Sequence, residues 1–267
     1  MPHSCSLRSQ KLTLTLRCGD QALEILQSQV ELRPGGETGV ASVRCLSGAD
    51  QVWPWLDSVA GSWTAPLLEA AMRALESGGG VAEGSDGVID RCAVDAVDKP
   101  HLFEIHYTDG LRAVVLMLGD GYVSKMAYAD RRQPGEITAV EYHVESTRHA
   151  AFGYLSRNIE EFLLTGVEPS PLERTYMTTG LIEAVLRSRG AGGERLATPA
   201  LAEIAYTPTP ERVLRARGER PSGGSEGDWS RPVVGAGVDA VAVPITRNGT
   251  TRGPLPVKRI DRDQRPF

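Results

Sequence analysis

The order of elements between residues 101 and 190 constrains this chain more than any other feature: four short alternating segments, then two amphipathic helices. Residues 101–107 alternate, Asp109–Gly110 supplies a turn, and an apolar run at 112–118 follows. An Asp-Gly pair between such runs predicts a hairpin. Gly119–Asp120–Gly121 is a second turn before residues 122–129, and residues 137–144 read as a fourth strand. Tyr154, Ile159, Phe162 and Leu163 then recur at helical spacing, and Gly166 and Pro169 end that helix. Ser170 precedes Pro171 and stands three residues before Glu173, the pattern of a capping box with proline at the first helical position. Met177, Leu181, Ile182 and Val185 carry the next apolar stripe until Gly190 stops it, and a strand follows. A meander followed by helices predicts an α+β fold: a predominantly antiparallel open sheet with helices packed on one face. The apolar run 114–118 fits a strand buried on both sides. A second subunit or helices of the same chain would cover the other face, and the sequence favours neither.

Upstream, residues 20–31 form a helix with Asp20 at its N-cap, and Pro34–Gly35–Gly36 breaks it. Residues 40–46 read as a strand, and 50–59 and 65–75 as short helices. Trp53, Trp55 and Trp63 there belong to the core or to a substrate-side surface. Residues 76–87 form a glycine-rich loop. After about residue 207, Arg, Pro, Gly and Ser dominate without periodicity. The expected division is an unstructured N-terminus at 1–19, a folded domain at 20–208 and a disordered tail at 209–267.

With 267 residues, 41% of them hydrophobic, the chain can bury a sizeable core. A net charge of -5 gives no electrostatic case for nucleic acid or an anionic membrane. No apolar run has the length of a membrane span. The first eighteen residues lack acids and carry Arg8, Lys11 and Arg17, a faint likeness to a transit peptide, and they contain no secretory core. Cys5, Cys18, Cys45 and Cys92 form no CxxC and are expected to be reduced thiols in a cytoplasmic protein. The sequon Asn248–Gly249–Thr250 has no meaning without secretion.

Candidate chemistry is sparse. Gly235–Ala236–Gly237–Val238–Asp239–Ala240 matches G-x-G-x-x-A, but only two valines precede it and Pro244 closes any helix after it. A dinucleotide fingerprint works only between a buried strand and a helix N-terminus, so this is a chance match. Gly190–Ala191–Gly192–Gly193 fails the pattern at Arg195 and reads as a helix stop. The histidines are His3, His101, His106, His143 and His149. His101 and His106 share a strand at odd spacing and so face opposite sides, which rules them out as a metal pair. No ligand cluster has metal spacing. His106 or His143 could face a substrate cleft on the sheet, as could Glu104, Glu141 and Tyr142, although an ordinary hydrogen-bonded role is favoured for each. Arg174 could bind an anion, with structural pairing favoured.

The pieces RNIE at 157–160, PLER at 171–174 and TTG at 178–180, with ALE at 22–24, RPGGETGV at 33–40, VRCLSG at 43–48 and LRAVVLML at 111–118, resemble the Gfo/Idh/MocA oxidoreductases over residues 20–208. That family includes glucose–fructose oxidoreductase and inositol dehydrogenase. The resemblance implies the substrate and oligomerisation half of an enzyme that oxidises a sugar, cyclitol or related hydroxyl compound with NAD or NADP. The dinucleotide-binding half is missing, so the chain alone is expected to bind no cofactor and to be inactive. A separate Rossmann-domain chain and a homodimer through the sheet are the implied partners. Family members supply a lysine from a Glu-Lys-Pro segment, absent here, and a histidine on the first helix, where this chain carries Gln21. Glutamine shuttles no proton near neutral pH, so no catalytic residue is assigned. The alternative is a non-catalytic, self-associating scaffold or binding module derived from the family.

Overall fold

The computed structural model describes residues 10–15, 19–77, 81, 86–119, 121–123, 125–131, 135–142, 150–208, 246–247 and 250–251. The chain divides into two compact units, Met1–Gly223 and Gly224–Phe267. In the second, β8 (Thr246–Arg247) pairs antiparallel with β9 (Thr250–Thr251). Apart from that pair, the tail expected at 209–267, with its G-x-G-x-x-A match, lies outside the described residues.

The first unit is α+β, with a seven-stranded sheet. In chain order its strands are β1 (Gln10–Thr15), β2 (Val40–Ser47), β3 (His101–Tyr107), β4 (Arg112–Met117), β5 (Met126–Arg131), β6 (Ile137–Tyr142) and β7 (Leu196–Ala197). Across the sheet the order is β6-β5-β1-β4-β3-β2-β7. Every pairing is antiparallel except β1 with β4, which is parallel. The hairpin at Asp109–Gly110 forms as expected: Gly110 has φ +87° and the Asp109 carboxylate accepts from the Leu111 N–H.

Two expectations are corrected. The N-terminal stretch 1–19 is not wholly unstructured, because β1 lies near the middle of the sheet. It separates β4 from β5, so the strands do not form a simple meander. Leu12 is fully buried, and that burial draws the N-terminal segment into the sheet. Helices also pack on both faces rather than one. On one face, α1 (Gly19–Val30), α6 (Leu172–Gly190) and α7 (Pro199–Ala202) enclose Val43, Cys45, Phe103, Ile105, Val115 and Tyr128. On the other, α2 (Ala49–Asp57), a 3-10 turn at Ser62–Thr64, α3 (Ala65–Ser77) and α4 (Arg91–Val97) enclose Leu12, Leu46, Leu102, Val114, Leu116 and Ala129. Val114 and Val115 are both fully buried within the chain, so the run at 114–118 offers no open face for a second subunit.

α6 starts at Leu172 behind Pro171, and no side chain caps it, so the expected capping box does not form. Ser170 stands one residue too early. α4 does have such a cap: the Asp90 carboxylate accepts from the Ala93 N–H at 3.1 Å. α5 (Ala150–Thr165) leaves Leu155, Ile159, Phe162, Leu163 and Leu164 exposed.

Candidate functional site

The α2/α3 face of the sheet changes character along its strands. Toward the Asp109–Gly110 end its residues are polar, and the pairing register puts them side by side. Arg131 lies opposite Gln10, Gln10 opposite Arg112, Arg112 opposite His106, and His106 opposite Ser42. Residues directly opposite in a sheet point to the same face. One step inward the row holds Leu12, Val114, Glu104 and Arg44. The polar end therefore borders the apolar core without a break.

Short contacts tie this row together. Arg131 Nη1 donates to Gln10 Oε1 at 3.1 Å. The His106 Nε2 and Glu104 Oε1 atoms are 3.0 Å apart, as expected for residues two apart on one strand. Arg195 reaches across β2 to put Nη2 at 2.7 Å from Glu104 Oε2, close for an ion pair but poorly aligned for a hydrogen bond. Arg44 Nε donates to the Gly193 carbonyl at 2.7 Å. The Arg112 guanidinium lies over the Trp63 ring, 4.8 Å from its centroid, a cation–π contact. Trp63 is 9% exposed, and its indole N–H has no acceptor among the described residues. Burial pushes the Glu104 carboxyl up, but its short contacts with His106 and Arg195 and their charges outweigh it and hold the group below its ordinary value. Glu104 is therefore ionised at neutral pH and positioned to orient the His106 imidazole. His106 is 33% exposed and Arg195 37%, so solvent reaches this end of the face.

At the same end, the opposite face carries a second polar cluster of a different kind. Glu37 is wholly buried and accepts from the Thr38 and Gly39 backbone N–H groups, from Gln27 and from Arg33. Arg33 also pairs with Asp109 at 2.7 Å and stacks over Tyr107. Tyr206 donates to Glu31, and Tyr107 to Gln27. Each member has a partner within the chain. The cluster fixes the 33–39 loop and the end of the domain to the sheet and leaves no group directed at a ligand.

The other candidates fall as follows. His101 faces the α6 side and bonds the Ser47 hydroxyl at 2.8 Å; burial and Arg189 hold its imidazole below the ordinary value. Glu141 takes Lys125 at 2.8 Å, and Tyr142 packs against the α1 side of the sheet. Arg174 pairs with Glu24 at 3.0 Å and Glu31 at 3.5 Å, the structural role favoured for it. Gln21 is exposed on α1. Trp53 and Trp55 are core, with Trp53 donating to Asp95. Burial raises the Cys45 thiol to about 11, so it stays protonated, and Cys92 is exposed. His3, His143, His149, Cys5 and Cys18 lie outside the described residues. Among the described residues no group of three or more His, Cys, Asp or Glu could hold a metal ion, and no helix is long and apolar enough to cross a membrane.

The structure thus brings together His106 and Glu104, two of the expected candidates. It joins to them Gln10, Arg44, Arg112, Arg131 and Arg195, which sequence reasoning missed. The pairs Ser42/Arg44 and Glu104/His106, each two residues apart, were a visible signal of a polar strand face. Their neighbours on β1, β4 and β5 depend on register, which spacing along the chain does not reveal. No family model, no curated protein and no solved structure matches this chain.

Proposed function

We propose that this chain is the substrate-side half of a Gfo/Idh/MocA-type oxidoreductase, and that the polar end of the α2/α3 face holds its sugar, cyclitol or related hydroxyl compound. The observation that carries this reading is the row Arg131–Gln10–Arg112–His106, beside Trp63, on an otherwise apolar sheet face. A few convergent polar groups at the margin of an aromatic, apolar surface suit a polyhydroxylated ligand. His106, hydrogen-bonded to an ionised Glu104, is the imidazole there placed to exchange a proton with a substrate hydroxyl. NAD or NADP would take the hydride when bound, on a dinucleotide domain contributed by a separate chain.

Calorimetric titration tests this reading. The purified chain should bind neither NAD(H) nor NADP(H) at micromolar concentration, a threshold of about -8 kcal/mol. It should bind at least one member of a sugar and cyclitol panel, with His106→Gln weakening that binding. Micromolar dinucleotide binding by the chain alone, or indifference of sugar binding to His106→Gln, overturns it.

A second reading is a non-catalytic, self-associating module. The observation that favours it is α5, with Leu155, Ile159, Phe162, Leu163 and Leu164 all exposed. Light scattering distinguishes the two. Concentration-dependent association abolished by Leu163→Glu, without any sugar binding, supports the module over the enzyme half.

A further inference from the structure

We propose that this chain dimerises by pairing α5 with α5 of a second copy, antiparallel and crossing at Ile159. This rests on the reading of α5 as a self-association surface and adds the partner, its direction and the residue at the two-fold axis. It is independent of whether the sheet end holds a sugar.

The argument starts from the helix itself. Leu155, Ser156 and residues 159–165 of α5 are all exposed, and Asn158 is half-buried. An isolated helix of this length is marginal in water, because most helices owe their stability to packing an apolar face. The α5 sequence includes Gly153, Ser156 and Asn158, none of them a strong helix former. Leu155, Ile159, Phe162 and Leu163 fall at i, i+4, i+7 and i+8, so they share one face, yet they are between 41% and 76% exposed. Together they leave roughly 400 Å² open, the size of the largest apolar patch a monomer ordinarily keeps. Just beyond, Val167 is exposed, as are Leu172 and Tyr176, one turn apart on α6. They bring the total to roughly 700 Å², close to the ~800 Å² that each partner gives to a standard interface.

Two features select a second copy as the occupant. The first is charge. A helix that lies in a membrane surface is rich in Lys and Arg on its polar side, whereas α5 carries Glu160 and Glu161 against one arginine, Arg157. The second is that the face complements itself. Turned antiparallel about Ile159, Leu155 in one copy lies level with Leu163 in the other, Ile159 with Ile159, and the large Phe162 with the small Ser156. Large residues facing small ones let two helices approach closely. Glu160 and Glu161 then stand level with Asn158 and Arg157. A parallel pair would instead set each glutamate level with its own copy. The same patch on both subunits makes a closed two-fold contact with no free end.

The test uses the full chain, with circular dichroism to show that every variant stays folded. Light scattering should show a monomer–dimer equilibrium. Ile159→Glu and Leu163→Glu should each weaken dimerisation at least a hundredfold. Leu164→Glu, on the opposite side of α5, should weaken it less than threefold. Disulfide trapping reads the direction. In a chain carrying Cys5→Ser, Cys18→Ser and Cys92→Ser, with Cys45 buried, Ile159→Cys should cross-link two copies under mild oxidation and Glu161→Cys should not. Association that persists unchanged in Ile159→Glu and Leu163→Glu overturns the α5 interface and leaves the self-association reading standing. Association lost in both variants, without a cross-link through Ile159→Cys, overturns the antiparallel crossing at Ile159. An unmodified chain that stays monomeric at high concentration sinks the self-association reading as well.

Discussion

The two faces of the sheet carry polar side chains at the same end of the same strands and treat them in opposite ways. On the α1/α6 face, Tyr107 and the Arg33–Glu37 pair are closed over, and Tyr107, Arg33 and Gln27 each donate to an acceptor within the chain. On the α2/α3 face, one residue along each strand, His106 and Arg112 sit in a row that solvent reaches, and the Trp63 N–H beside it has no acceptor among the described residues. A buried polar group is tolerated when satisfied and costly when not. The closed cluster therefore explains itself as structure. The open row does not, and that difference locates the candidate site more firmly than any single residue could.

The largest expected effect tests whether both faces are closed where they are apolar. Val114→Glu and Val115→Glu should both unfold the domain, each burying an unpaired carboxylate at a cost of at least about 4 kcal/mol. A native circular dichroism melt from either variant would show that its face is open. Next comes the contrast between the polar clusters. Glu37→Ala should cost about 3–5 kcal/mol in urea denaturation, because it leaves the buried Arg33 short of a partner and two backbone N–H groups without an acceptor. Arg131→Gln, on the open row, should cost less than about 1 kcal/mol. Similar costs would erase the distinction.

Acid should act on the two faces in sequence. His101, on the α6 face, has its imidazole held low by burial and Arg189, so the unfolded chain takes up that proton first. Stability is complete above the ordinary value of 6.5 and is lost as pH falls from there through the folded value. Glu104, on the open face, is also held low. Its contribution is complete above 4.5 and is lost only as pH falls further. Melting curves against pH should show both arms, with His101→Asn removing the upper and Glu104→Gln reducing the lower, to which Asp109 and Asp57, also held low, contribute as well. The smallest effect concerns helix starts. Asp90→Ala should cost about 1 kcal/mol, since that carboxylate caps α4. Ser170→Ala should stay within about 0.5 kcal/mol, because no cap is made at α6.

Much of the fold was legible. The Asp109–Gly110 turn, the alternation at 101–107 and the helical spacing of Met177, Leu181 and Val185 each name a local geometry that tertiary packing did not override. β1 was legible too but went unread: Lys11, Leu12, Thr13, Leu14 and Thr15 alternate as a strand should. It reads as a tail only because no hairpin partner stands next to it. The capping box failed for a different reason, since a four-residue pattern cannot fix which residue the helix starts on. Of the site, the sequence showed Glu104 and His106 on one strand face. It could not show that Arg131, Gln10 and Arg112 line up beside them, because those residues are joined only by pairing between strands more than a hundred residues apart along the chain.

The placement of β1 has a consequence for how the sheet is assembled. Its partners β4 and β5 follow it by about a hundred residues and do not pair with each other, so until β1 inserts there are two half-sheets, β6-β5 and β4-β3-β2-β7. Each half-sheet ends in an unpaired edge, the kind of surface that recruits strands from other chains. Closing that gap makes the contact order high and the final step slow. A chain shortened to begin at α1 should therefore clump through these edges, and a synthetic peptide spanning Gln10–Thr15, supplied in trans, should rescue it by occupying the slot.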